Sequence, residues 1–221
     1  MFDNDIYNRQ EAVGEKITER SYNLLIGLVL LWGFFVNFLM VKFISTEALL
    51  EMNYFVFIGG YFVSCLIGIA LYTKSSNPMV SFIGYNFVVV PFGLILNLVI
   101  SSYDPDIVLN AIMITAIVTL LMIVLASIYP SFFQKISGAL FVALLSVFVV
   151  ELIMAFVFKV ELGIIDWIVA IIFCGYIGYD WGRANAMAKT VDNAIDGAAA
   201  IYMDIINLFI RILRILGRNR D

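Results

Sequence analysis

Two aspartates lie in strongly apolar surroundings, Asp180 in the stretch GYIGYDWGRA and Asp204 in the stretch IYMDIINLF. If their segments form an antiparallel hairpin with its turn at residues 190–193, the two carboxyls lie at equal distances from that turn. Two carboxyls held close together in a low-dielectric site do not easily both ionise, because like-charge repulsion and desolvation favour protonation of one of them. The spacing therefore predicts a pair that shares one proton near neutral pH.

An alternative interpretation is that each aspartate simply pairs with a basic side chain. Lys74, Arg183 and Arg211 are the candidates, and a structural ion pair would change the titration of an aspartate without any function. A GxxxG pattern at residues 178–182 and four small residues at 197–200 favour close approach of the two helices. On spacing alone, both interpretations stay open.

Other polar residues interrupt the apolar stretches. Glu151 either belongs to an ion pathway or extends its carboxylate to the outer membrane interface. Asn37, Asn86 and Asn97 are expected to form hydrogen bonds between helices. The chain has no histidine, which excludes histidine-based catalysis and argues against most zinc sites. With no recognisable nucleophile either, the sequence does not predict an enzyme.

The elements that carry these residues are long apolar runs. Hydrophobic residues make up 63% of the 221 residues and charged residues only 14%, against roughly 25% charged residues in a soluble domain. Runs of about 20 apolar residues match the ~30 Å hydrocarbon core of a bilayer, and they must be helical because no water satisfies the backbone there. The sequence predicts an all-α integral membrane protein with spans at residues 22–44, 54–73, 80–100, 107–128, 136–158, 164–182 and 194–216.

The seventh span differs from the others because it carries polar residues. Asp204, Asn207 and Arg211 are spaced i, i+3, i+7, which places them on one helix face. A polar stripe on a membrane helix must face protein or water rather than lipid. We therefore expect a seven-helix bundle over residues 21–216, in which the C-terminal helix is central and wrapped by the other six.

Basic residues predict the orientation of the bundle. With a cytoplasmic N-terminus, seven lysines and arginines lie inside and two, Lys42 and Lys159, lie in outside loops. Residues 1–20 then form a cytoplasmic lead, and the run that follows is too long for a cleavable signal peptide. The short basic tail at residues 217–221 conflicts with this orientation. If the last helix crosses the membrane fully, the arginines of the tail lie outside, although basic residues are expected inside. A re-entrant last helix is the alternative.

The tail AIYMDIINLFIRILRILG resembles the signature of the transmembrane Bax inhibitor motif family, also called the Bax inhibitor-1 family. The family pattern is a tyrosine, one residue, an aspartate, two residues, Asn-Leu-Phe and then Leu-Arg. It is filled here by Tyr202, Asp204, Asn207, Leu208, Phe209, Leu213 and Arg214. Upstream, Tyr179 and Asp180 match the Tyr-Asp pair that the family carries near the end of the sixth span.

The resemblance implies a pH-sensitive calcium leak that is gated by a pair of aspartates. Asp180 and Asp204 take these positions, and calcium would contact them transiently. Lys74 takes the place of a basic latch, more often arginine, that reaches toward the aspartates. Because lysine lacks the bidentate fork of arginine, the latch is expected to be looser. The supporting residues of this site are Tyr179, Tyr202, Asn207, Arg211 and Arg214.

We therefore expect a pH-gated calcium leak channel of a bacterial-type plasma (inner) membrane, with calcium as the permeant ion and no tightly bound cofactor. The alternative is a non-conducting interaction protein that regulates a membrane protease or a stress response. A small-solute transporter is a third interpretation. The expected partners are the lipid bilayer and calcium, with a membrane protease under the alternative. No basic tract indicates binding to nucleic acid.

Overall fold

The computed structural model describes residues 15–160 and 162–218. These residues are almost entirely helical, and their only β pairing is an isolated bridge between Lys16 and Thr190. A π-helical turn at Met154–Phe158 continues the sixth helix. The helices are α1 (Glu19–Phe43), α2 (Thr46–Leu50), α3 (Tyr54–Lys74), α4 (Pro78–Ile100), α5 (Pro105–Ile128), α6 (Pro130–Ile153), α7 (Gly163–Ala186) and α8 (Val191–Arg218).

Six of these helices are long and apolar enough to cross a membrane, namely α1, α3, α4, α5, α6 with its π-helical turn, and α7. Each corresponds to one of the first six predicted spans. The protein is therefore a multi-pass helical membrane protein, as predicted. Residues 1–14 of the predicted lead and residues 219–221 of the predicted tail lie outside the described residues.

Proline marks the start of three helices. Pro78, Pro105 and Pro130 each occupy the first turn, of α4, α5 and α6 respectively. The first N–H groups of a helix have no helical partner, so the missing N–H of proline costs nothing there, and its fixed φ suits the first turn. For this reason α6 begins at Pro130, rather than at the predicted residue 136.

The chain divides into two compact units. Unit 1 contains the described parts of residues 1–102 and 183–202, and unit 2 those of residues 103–182 and 203–221. In unit 1, α3 and α4 approach closely where glycine faces glycine. A Cβ atom on Gly68 would lie 2.5 Å from the Gly84 carbonyl oxygen, and one on Gly84 would lie 2.7 Å from that of Gly68. Small residues thus set the distance between these two helices.

Asn37, Asn86 and Asn97, all in unit 1, bond between helices or to the end of a neighbouring helix, as predicted. Asn37 on α1 bonds to the Tyr202 hydroxyl on α8. The Asn86 side-chain oxygen accepts from the Trp32 indole at 3.0 Å. Asn97 donates to the Ile44 carbonyl at 2.9 Å.

Helix α8 is buried along almost its whole length. Of its described residues, only Val191 and Arg218, at the two ends, are exposed. This confirms the prediction that protein shields the last helix from lipid. The helix is also unbroken over 28 residues, or about 42 Å at 1.5 Å per residue. It is thus longer than the ~30 Å hydrocarbon core.

Candidate functional site

The two aspartates predicted to act together both lie in unit 2. Asp180 on α7 and Asp204 on α8 are buried, with 8% and 6% of their surfaces exposed. The Tyr176 hydroxyl lies close enough to both carboxylates to interact with them electrostatically. Tyr176 was not predicted from the sequence, although its position one turn before Asp180 places it on the same helix face. Both aspartates therefore lie within electrostatic range of one tyrosine.

The turn between the two helices differs from the prediction. Helix α7 ends at Ala186 and α8 begins at Val191, so the loop is at residues 187–190. Thr190 caps α8, because its Oγ1 accepts from the Asn193 backbone N–H at 3.2 Å. Asp180 lies six residues before the end of α7, and Asp204 lies thirteen residues after the start of α8. The predicted equal distance from the turn is therefore wrong.

The glycines that flank Asp180 do not bring α7 and α8 together. A Cβ atom on Gly178 would clash with the Phe133 ring on α6, and one on Gly182 would meet no described atom within 4 Å. Each glycine is two residues from Asp180, about 200° around the helix, so it faces away from the carboxylate. The small-residue contact between α7 and α8 lies in unit 1, where a Cβ on Gly197 would lie 2.8 Å from that of Ala184.

Arg211 on α8 is the centre of an ionic network in unit 2. Its Nη1 and Nη2 atoms donate to the two carboxylate oxygens of Glu151 on α6, at 2.5 and 3.0 Å. Its Nη1 atom also donates to Asp166 Oδ1 on α7, at 2.9 Å. The two parallel bonds to Glu151 use the planar fork of the guanidinium. Arg211 is thus paired with Glu151 and Asp166 rather than with Asp180 or Asp204.

Asp166 is the member of this network that the sequence analysis missed. Its side chain is 2% exposed and accepts from Arg218 Nη2 at 3.0 Å, with Arg214 Nε at 3.5 Å. A carboxylate this deeply buried needs cationic partners to offset its desolvation. The signal was the spacing of Arg211, Arg214 and Arg218 at i, i+3, i+7, which places three cations on one face of α8.

The network also shows the partners of Glu151 and of the arginines of the last helix. Both carboxylate oxygens of Glu151 accept hydrogen bonds from Arg211, and the two interpretations of Glu151 stay predictions. The arginines of the last helix are compensated by carboxylates, so their position in a continuous helix carries a smaller electrostatic cost. The orientation of the last helix, and the choice between a full crossing and a re-entrant course, stay predictions.

A cavity of about 340 Å³ adjoins the network in unit 2. Glu151, Asn207 and Arg211 supply its polar lining, and apolar side chains of α6 and α7 supply the rest, Phe148 and Phe173 among them. Asn207 also donates from Nδ2 to the Met203 carbonyl at 2.8 Å, within its own helix. The predicted polar stripe of α8 therefore lines a cavity at Asn207 and Arg211.

The remaining predicted residues are distributed between the two units. Tyr179, a half-buried residue of α7, and Arg214 belong to unit 2, whereas Tyr202 and Lys74 belong to unit 1. Lys74 is exposed at the last residue of α3, and its function as a latch stays a prediction. Among the described residues, no three Cys, Asp or Glu side chains come together as a possible metal site.

Comparison with known proteins places the chain in a family. The family model described as "Inhibitor of apoptosis-promoting Bax1" matches residues 15–221. Bax inhibitor 1 of Schizosaccharomyces pombe is 30% identical over 178 residues, which cover 77% of this chain and 65% of that protein. An uncharacterised membrane protein of Streptococcus pyogenes serotype M3 is 33% identical over 138 residues, 58% of each chain.

A plant protein, LIFEGUARD 3 of Arabidopsis thaliana, is 44% identical over 59 residues, which cover 26% of this chain and 23% of that protein. The chain spans less than two thirds of the length of the yeast and streptococcal relatives, 65% and 58% respectively. The family match, in contrast, extends from the residues before α1 to the last residue of the chain. The chain therefore belongs to the Bax inhibitor-1 family.

Proposed function

We propose that this protein is a pH-sensitive calcium leak channel whose gate is the pair Asp180 and Asp204. The observation that carries the proposal is the burial of both carboxylates in unit 2, where both also interact electrostatically with Tyr176. These positions are the ones at which the family resemblance implies a gating pair. Supporting residues in the same unit are Tyr179, Asn207, Arg211 and Arg214, and we assign Tyr202 and the latch Lys74 from unit 1.

The gate would work through a single proton. When the two carboxyls share a proton they can bond to each other, and when they lose it they repel each other. The proton therefore stabilises one packing of α7 and α8 relative to another. A difference of one pKa unit between two conformations is worth ~1.4 kcal/mol, and a gap of a few kcal/mol is enough for a two-state switch.

Calcium would be the permeant ion and would bind weakly. Calcium prefers six to eight oxygen ligands, whereas Asp180 and Asp204 supply only two carboxylates, and no third acid completes a metal cluster among the described residues. Water would supply the remaining ligands. Weak binding suits conduction, because an ion must leave a site as readily as it enters. We propose no tightly bound cofactor and no enzymatic activity.

The proposed location is a plasma (inner) membrane with the N-terminus in the cytoplasm. Support comes from the six apolar helices and from the excess of lysine and arginine in the segments that this orientation places inside. The lipid bilayer is then the principal partner.

Calcium flux from proteoliposomes across pH 5 to 8 tests the proposal. Purified protein is reconstituted with a calcium indicator inside the vesicles, and protein-free vesicles provide the baseline. We expect protein-dependent flux that changes with pH. Flux equal to the baseline at every pH would contradict the proposal and favour a non-conducting protein that regulates a membrane protease or a stress response.

A further inference from the structure

We propose that Glu151 and Arg211 form a second gate on the ion path, in which Glu151 is a cation-binding carboxylate and Arg211 is the guanidinium that blocks it. This inference rests on the proposed calcium conduction and concerns residues outside the aspartate pair. It is carried by the ionic network and the cavity of unit 2.

The polar face of α8 connects the two gates. Asp204, Asn207 and Arg211 share this face, and about 10 Å of helix axis separates the first from the last. An ion that leaves Asp204 along this face therefore reaches Asn207 and then Arg211. Asn207 and Arg211 line the cavity together with apolar side chains of α6 and α7, and Asp204 lies about one turn before Asn207 on the same helix face.

The cavity provides a binding position for such an ion. Its volume of about 340 Å³ exceeds what several water molecules need. Its polar lining consists of the Glu151 carboxylate, the Asn207 amide and the Arg211 guanidinium. In the present arrangement both Glu151 oxygens are bonded to Arg211, so an entering cation meets a positive charge and an occupied carboxylate. This arrangement is the closed state of the gate.

Asp166 provides Arg211 with an alternative partner. Arg211 Nη1 already donates to Asp166 Oδ1 at 2.9 Å, and Asp166 is held in place by Arg218 at 3.0 Å. If the Arg211 guanidinium breaks its bonds to Glu151 and keeps its bond to Asp166, its positive charge stays compensated. The guanidinium then no longer lines the cavity. The same movement frees two carboxylate oxygens, the ligand type that calcium prefers. One side-chain movement thus changes the lining from cation-repelling to cation-binding.

Flux measurements at constant pH distinguish this gate from a structural ion pair. We expect Arg211→Gln to raise calcium flux several-fold, because the blocking charge is gone and Glu151 is free. We expect Glu151→Gln to lower flux several-fold, because Arg211 remains and the binding carboxylate is lost. Arg211→Lys keeps the positive charge and should stay within about twofold of the unmodified protein. Lys135→Gln is the control and should leave flux unchanged, since Lys135 is an exposed cation of α6 that does not line the cavity.

The critical result is that the two substitutions change calcium flux in opposite directions, upward for Arg211→Gln and downward for Glu151→Gln. A purely structural pair predicts that Arg211→Gln and Glu151→Gln shift flux in the same direction, or leave it unchanged, and either result overturns the second gate while the proposed function stands. Absence of flux from the unmodified protein at every pH overturns the proposed function and this gate together. Should Arg211→Gln fail to fold, Glu151→Asp replaces it: the shorter acid holds Arg211 less well, so flux should rise, and a fall would refute the gate.

Discussion

The Tyr202 hydroxyl on α8 lies 2.8 Å from Asn37 Oδ1 on α1, and both residues are buried. The Tyr202 ring also packs edge-to-face against Tyr85, with 5.5 Å between ring centroids. A Cβ atom on Gly33 would clash with the Tyr85 hydroxyl, so a glycine there permits this packing. The family signature residue Tyr202 thus joins the last helix to the first within unit 1.

This bond predicts a stability effect for the loss of one hydroxyl. Tyr202→Phe keeps the ring packing but leaves the Asn37 amide without its partner. A buried group left unsatisfied costs about 1–3 kcal/mol in soluble proteins, and interhelical bonds in membranes average about 0.6 kcal/mol. We expect a loss of about 1 kcal/mol in the free energy of unfolding, measured by denaturant titration in micelles. Tyr54→Phe, at an exposed position of the same unit, should cause no loss; equal effects would show that the bond contributes nothing.

The aspartate pair predicts a change in pH dependence. Asp180→Asn and Asp204→Asn keep the side-chain shape but remove titration, so each should flatten the dependence of calcium flux on pH between pH 5 and 8. The double variant should add little, because two residues that share one proton act as a unit. Asp106→Asn, an exposed acid of the same unit, should retain the original profile. If both single variants also retain it, the aspartates are structural.

The exposed cation at the end of α3 predicts a change in basal flux. If Lys74 is a latch toward the aspartates, Lys74→Ala should raise flux in the closed state. Lys74→Arg should lower it, because the guanidinium can form two parallel bonds to a carboxylate. Lys135→Ala removes another exposed lysine and should have no effect. The same flux in all three Lys74 proteins would remove this residue from the mechanism.

The buried carboxylate of the ionic network predicts a large loss of stability. Asp166→Asn removes the negative charge that partners Arg211 and Arg218. Breaking a buried ion pair by removing one partner costs about 3–5 kcal/mol. We expect about 3 kcal/mol here, because Arg218 is 42% exposed and can regain water. Denaturant titration measures the change, with Asp106→Asn as the control. A loss no larger than that of the control would show that Asp166 is not an anchor of the network.

The orientation predicts the accessibility of introduced cysteines. The native cysteines, Cys65 and Cys174, are free thiols, one buried and one half-buried, so they are first replaced. In intact cells, a membrane-impermeant maleimide should label Glu51→Cys, between α2 and α3, and should not label Asn8→Cys until the cells are permeabilised. Labelling of Asn8→Cys from outside would reverse the proposed topology.

Much of the fold follows from local sequence. Apolar runs of sufficient length must be helical where no water is present, so the six spans were predicted without knowledge of their packing. The polar stripe of α8 predicted its shielding for the same reason, since polar groups are not placed against lipid. The helix starts were less accurate: Pro130 begins α6 and Thr190 caps α8, because the same residues also suit turns.

The amino-acid sequence by itself determined that this is a helical membrane protein with two acids buried near its C-terminus, and only the tertiary structure decided which charges pair. An arginine on a helix face can bond to any carboxylate that another helix brings alongside, so residue spacing left Arg211 with several candidate partners. Glu151 is 60 residues away along the chain and Asp166 is 45. Helix packing in unit 2, which residue spacing does not encode, placed both acids beside Arg211.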